Sequence, residues 1–144
     1  MLEAYKKLLI AVDGSKQSEK AFSEGIEIAK RNGSTVYLAW IINDVELTTS
    51  AYAFSKLLYD EQAFVEDFMN KKVAEVKEAG VEDVHVIIEI GSPKRKIAVD
   101  IPQEYEIDLI IMGSTGKGAI SQALVGSTTA FVVNHAVCNV MVVK

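Results

Sequence analysis

Among the stretches of this chain that are apolar at every position are Leu8-Leu9-Ile10-Ala11-Val12 near the start and Leu109-Ile110-Ile111-Met112 in the last third. A strand with one face in water alternates apolar and polar residues, so runs without alternation belong to a sheet covered on both faces. Such sheets are parallel, because the helices that cross over between strands supply the cover. The segments between the two runs fit that scheme. Strand one, 6–12, turns at Asp13-Gly14-Ser15 into a helix of about 17–31 that buries Phe22, Ile26 and Ala29 and stops at Asn32-Gly33. Strand two covers 35–42, and 43–55 is the least regular region, with Thr48-Thr49-Ser50 beside Tyr52 and Phe54. A long helix then runs to Ala79, with Val65, Met69, Val73 and Val76 on one face and Gly80 as its stop. Strand three spans 84–90, and Gly91-Ser92-Pro93 opens the next helix with Ser92 as N-cap and Pro93 at its first position. Strand four is 107–112, the last helix 127–135 and strand five 137–143. The predicted fold is α/β: one domain over 1–144, an open parallel five-stranded sheet with helices on both faces.

Chemistry concentrates after strand four. Gly113, Gly116 and Gly118 follow it closely, and Gly126 and Ser127 precede the last helix. Glycines let a backbone approach a ligand that a β-carbon would block. Ser127 suits an N-cap, and a helix start presents unpaired N–H groups at the positive end of its dipole. Together these features describe an anion site suited to phosphate. Two common phosphate loops are excluded by spacing. A P-loop needs Lys and Ser or Thr directly after its second glycine, where Ala119 and Ile120 stand. A dinucleotide fingerprint needs Gly or Ala at its last position, where Ser121 stands, and it belongs after the first strand.

What remains is Gly113, two residues, Gly116, nine residues, Gly126, Ser127. This spacing resembles the ATP-binding signature of the universal stress protein family. The resemblance extends over nearly the whole chain. Leu8 to Ser15 is similar to the family's opening strand and acidic turn, Gly91-Ser-Pro93 to its Gly-x-Pro, and Asp108 to Gly113 to its fourth strand. His135 to Val143 resembles its closing segment, with Asn139 where the family usually has Pro. The resemblance implies a Rossmann-like strand order of 3-2-1-4-5, which puts the switch point, and the ligand crevice, between strands one and four.

It also implies site residues. Gly126, Ser127 and Thr128 would hold phosphate oxygens of ATP, with Met112, Gly113, Gly116 and Gly118 around them. Asp13 would bond ribose hydroxyls or approach a phosphate-bound Mg²⁺ or Mn²⁺; on the residues alone it reads equally as a helix cap. Ile41 would offer its backbone to the adenine edge, although a core residue looks the same. Lys117, inside the loop, is either a phosphate partner or a solvated lysine. Tyr52 and Phe54 read as a lid or as packing. His135 near Cys138, and His85 in strand three, lack the neighbours of a metal or nucleophile site.

A net charge of −5 and a pI near 5.1 argue against nucleic acid or anionic membrane as partner. No stretch approaches the ~20 apolar residues of a membrane span. The first residues show no basic region followed by an apolar one, so no secretory leader is expected. The lone Cys138 fits a reducing, cytoplasmic setting. The function expected is an ATP-binding regulatory or stress-response module, with a slow ATPase or phosphotransferase as the competing reading. No residues form an arranged catalytic set for phosphoryl transfer. The apolar last strand, at a sheet edge in the implied order, predicts a homodimer through 138–143.

Overall fold

The structure is a computed structural model describing residues 4–43, 51–116 and 125–144, with backbone alone for 51–55. Its strands are β1 (Lys7–Ala11), β2 (Thr35–Asn43), β3 (Val84–Gly91), β4 (Leu109–Gly113) and β5 (Asn139–Val143). They form one sheet in the order β3-β2-β1-β4-β5, and every neighbouring pair is parallel. The implied strand order and parallel sheet are therefore found.

Because both faces are covered, each strand divides its apolar residues between two cores. Leu8, Ile10, Leu38, Trp40 and Ile111 pack with Phe22, Ile26 and Ala29 of α1 (Lys16–Asn32) and with Val65, Met69 and Val76 of α2 (Ala51–Glu78). Leu9, Ala39, Ile41, Ile110 and Met112 pack on the other face. There they meet Ile97, Ala98 and Ile101 of α3 (residues 93–105) and Val132 of α4 (Ser127–His135).

Expected boundaries hold within a few residues, with instructive differences. α1 is capped by Ser15, whose hydroxyl accepts the Ser18 N–H at 3.1 Å, and ends on Gly33 at φ 64°. α2 already includes residues 51–55, which the sequence placed in its least regular region. Thr48, Thr49 and Ser50 lie outside the described residues, as do the side chains of Tyr52 and Phe54. β5 starts at Asn139 rather than 137, in register with Leu109.

α3 is not a plain α-helix. Pro93–Arg95 leads into a π-helical stretch, Lys96–Asp100, before Ile101–Tyr105. Pro102 has no N–H for the Ala98 carbonyl, and a widened turn next to a proline relieves the clash of its ring. That carbonyl instead accepts the Val137 N–H at 3.3 Å, which ties the approach to β5 onto α3.

The first turn of α1 lies directly on the end of β4. A β-carbon on Gly113 would fall 2.7 Å from both the carbonyl carbon and Cβ of Gln17. The neighbour is backbone and has no rotamer to yield. Gly113→Ala is therefore expected to destabilise the fold by about 1–3 kcal/mol through overpacking, read as a lower urea midpoint at unchanged slope.

Candidate functional site

The sheet reverses its winding between β1 and β4, and the candidate site lies at their carboxyl ends, beside the turn at 13–15 and residues 113–116. On the β1 side the chain turns sharply at Gly14, φ 83°, above the ring of Trp40, which lies 3.4 Å from where a β-carbon would stand. The Asp13 carboxylate accepts the Ser15 N–H at 2.9 Å. Ser18 closes the turn, donating its hydroxyl to the Ser15 carbonyl and accepting the Asp13 N–H. Asp13 is thus an organiser of the turn, while Ser15 is the residue that caps α1.

On the β4 side, Gly116 lies against Asp13 across the switch point: a β-carbon there would stand 2.5 Å from Asp13 Oδ2. The Ser114 N–H donates to the Val143 carbonyl at 2.8 Å, and the Ser114 carbonyl accepts the Gly126 N–H at 2.7 Å. The latter bond closes the loop at its neck and delivers the chain to α4. There the expectation is corrected. Gly126, not Ser127, is the N-cap of α4, with φ −68° and ψ 161°. Having no side chain, it leaves the first N–H groups of the helix without a side-chain cap. The Thr129 hydroxyl is not available to them, because it is buried and donates to the Gly113 carbonyl at 2.8 Å.

Asp13, Gly113, Gly116, Gly126, Ser127 and Thr128 therefore gather at one end of the sheet, around the start of α4. Ile41 and Met112 contribute differently, since both side chains are buried in the core beneath α3 and α4. Backbone groups alternate sides along a strand. Ala39 turns its carbonyl to the Val12 N–H at 2.9 Å, so the backbone groups of Ile41 point the same way, past the end of β1. Lys117 and Gly118 lie outside the described residues. Ser114 and Thr129 were missed as loop anchors, because a serine and a threonine among glycines carry no pattern that separates anchor from ligand group.

The other candidates stay out of the site. His135 is exposed, its ring 4.3 Å from that of Phe131. His85 stacks on Tyr37 and lies 2.8 Å from Asp83. Among the described residues no three His, Cys, Asp or Glu side chains group as a metal site. A groove of about 760 Å³, lined by Tyr5, Ile28, Arg31, Asn139 and Met141, lies at the opposite end of the strands. There the Asn139 amide donates to the Tyr5 hydroxyl at 3.1 Å, a bond proline could not make.

The half-buried Cys138 thiol is pushed up to about 11, chiefly by burial and further by the Asp108 carboxylate. A thiol that keeps its proton longer when folded than when unfolded favours the fold less as pH rises. Its contribution is intact below the unfolded value of about 8.5 and lost between there and about 11. Folded protein at pH 8 should accordingly react with an aromatic disulfide reagent far more slowly than urea-unfolded protein, and a Cys138→Ala variant should lose less stability between pH 9 and 11.

Comparison with known proteins agrees with this fold. Residues 4–144 match the sequence model of the universal stress protein family. A Staphylococcus aureus (strain USA300) protein named as a universal stress protein is 37% identical over 142 residues, 97% of this chain and 84% of its own. The structure of universal stress protein UspA from Lactobacillus plantarum superposes with a TM-score of 0.92 at 34% identity, covering 99% of this chain and 100% of its own. An Arabidopsis thaliana universal stress protein family structure with AMP bound shares the fold at a TM-score of 0.70 and 22% identity, covering 96% of this chain and 91% of its own. Among the described residues, no helix is long and apolar enough to cross a membrane.

Proposed function

The chain belongs to the universal stress protein family, and from that premise we propose that it is an ATP-binding regulatory module of the stress response, whose nucleotide state governs assembly or partner choice. Gly126 carries the reading. Gly113 is glycine because the α1 backbone sits on it, and at Gly116 a β-carbon would push the Asp13 carboxylate from its place. Gly126 has torsions open to any residue, and a β-carbon there would meet only ordinary contacts, 3.4 Å and beyond, with Thr115, Ser114 and Gly116. Nothing in the described chain requires glycine at that point. A ligand seated against the start of α4 does, since a side chain would occupy its place. That a protein of the same fold binds AMP supports an adenine nucleotide.

In this reading the N–H groups at the start of α4 and the Ser127 and Thr128 hydroxyls hold phosphate oxygens, with the backbone of Gly113 and Gly116 beside them. Asp13 takes ribose hydroxyls or approaches Mg²⁺ or Mn²⁺, which when bound would neutralise phosphate charge. The backbone of Ile41 and Met112 meets the base, and Lys117 and Gly118 complete the loop. An acidic protein has little positive side-chain potential to spare, so backbone N–H groups at a helix start suit the task.

The test is Gly126→Val. Valine accepts φ −68° and ψ 161° without strain, so the variant should keep its fold and its urea midpoint. Its side chain should abolish ATP and AMP binding in a calorimetric titration. Unchanged affinity in the folded variant would remove this loop from the site.

Assembly is proposed to use the open edge of β5. Val143 directs its carbonyl to Ser114, so Val143 faces β4 and Val142 and Val140 turn their N–H and C=O outward. Exposed Val133, Val137 and Met141 extend the apolar surface near that edge. An antiparallel second copy about a two-fold axis would satisfy the outward groups. Val142→Pro removes one outward donor and spares the β4 ladder. Light scattering should show a wild-type dimer at micromolar concentration and a monomeric variant; a proline variant that dimerises equally well would place the interface elsewhere.

A further inference from the structure

One buried charge lies outside this site and has no part in it so far. Lys72, midway along α2, is the only charged side chain buried among the described residues, 7% exposed. Its ammonium sits 4.5 Å from the ring centre of Phe22 and 5.4 Å from that of Phe68. It is paired with Glu19 of α1 at 2.5 Å and with Glu75 of α2 at 3.1 Å. Stability gives a weak reason for such an arrangement. Replacing a buried ion pair with apolar residues of similar volume is often neutral or stabilising. The walls of this pocket are aromatic and would accept methionine. What the lysine supplies is direction: of its two carboxylate partners, Glu19 is the one on another helix.

That carboxylate belongs to the first turn of α1. The Glu19 N–H donates to the Ser15 carbonyl at 3.1 Å, and Ser15 is the residue whose own N–H is held by Asp13. A second contact from α2 reaches the same turn from below, since Gly14 rests over Trp40 and Trp40 packs edge-on against Phe64 and Phe68. Phe68 is shared by both contacts. α2 thus holds the β1–α1 turn at two points, one apolar and one ionic, and only the ionic one is directional.

We infer that Lys72 is a positioning residue for the nucleotide site: by gripping Glu19 it fixes the β1–α1 turn, and with it the Asp13 carboxylate opposite Gly116. The inference rests on the nucleotide reading above.

Lys72→Met keeps the stem in its pocket and removes the charge. In ligand-free protein, amide hydrogen exchange at Ser15, Ser18 and Glu19 should accelerate by about tenfold, while amides of β1 and β4 keep their rates. The Kd for ATP should rise by about the same factor, and Lys72→Arg, which restores the charge, should recover most of both losses. Unchanged exchange in the turn would overturn the inference, as would equal acceleration throughout the sheet. So would an unchanged Kd beside a loosened turn, or an arginine variant no better than methionine. A wild type that binds no adenine nucleotide would sink the functional reading itself and the positioning role with it; exchange would still report whether Lys72 holds the turn. Should Lys72→Met fail to fold, Glu19→Gln, on the half-exposed partner, takes its place with the same expected results.

Discussion

The contact between Gly113 and Gln17 governs the layout of this molecule. An open parallel sheet has its ligand crevice where two strands send their chains in opposite directions, and here those strands are β1 and β4. The crevice stays narrow only if the helix leaving β1 can begin on top of the last residue of β4. The missing β-carbon of Gly113 permits that approach. Everything nearby depends on it. With α1 seated so low, Asp13 comes within reach of Gly116, and the Gly113 carbonyl is left for the Thr129 hydroxyl. That bond in turn fixes where α4 begins.

The signature glycines thereby separate by physical cause. One is demanded by helix packing, and one leaves room for a neighbouring carboxylate. The third is required by nothing in the described chain, and it caps the helix whose dipole faces the crevice. A pattern of three like residues thus divides into two that answer to neighbours in the chain and one that does not. The neck of the loop adds a further link, for Ser114 donates its N–H to the last residue of β5 and accepts the N–H of the helix cap at its carbonyl. The site and the open edge of the sheet share that single residue.

Burial on both faces also explains why side chains and backbone divide their work. Strand residues at the carboxyl end, such as Ile41 and Met112, direct their side chains into the core and keep only main-chain groups for the crevice. In the proposed reading, recognition there falls to backbone and to short polar residues on the loops, on a scaffold held in place by the two apolar cores.

Fold class was legible in the sequence for a definite reason. Non-alternating apolar strands, interleaved with helical periodicity, satisfy their burial only in a covered parallel sheet. Stops at Gly33 and Gly80 and the proline start at Pro93 were also local, set by backbone torsions that neighbours hardly alter. Glycine spacing picked out the loop. Contacts between distant segments could not be read the same way. Nothing local to Gly113 announces Gln17, and nothing local to Glu19 announces Lys72. The cap of α4 fell on Gly126 although Ser127 has the better capping side chain, because the Gly126 N–H is bonded to Ser114. The π-helical stretch arose where Pro102 freed a carbonyl to which Val137, thirty-nine positions after Ala98, donates its N–H. Sequence determined which elements form and where the loop of interest lies, since those follow from periodicity and torsion; tertiary structure alone decided which glycine answers to packing, which to charge and which to neither, since each answer is a distance to a residue far along the chain.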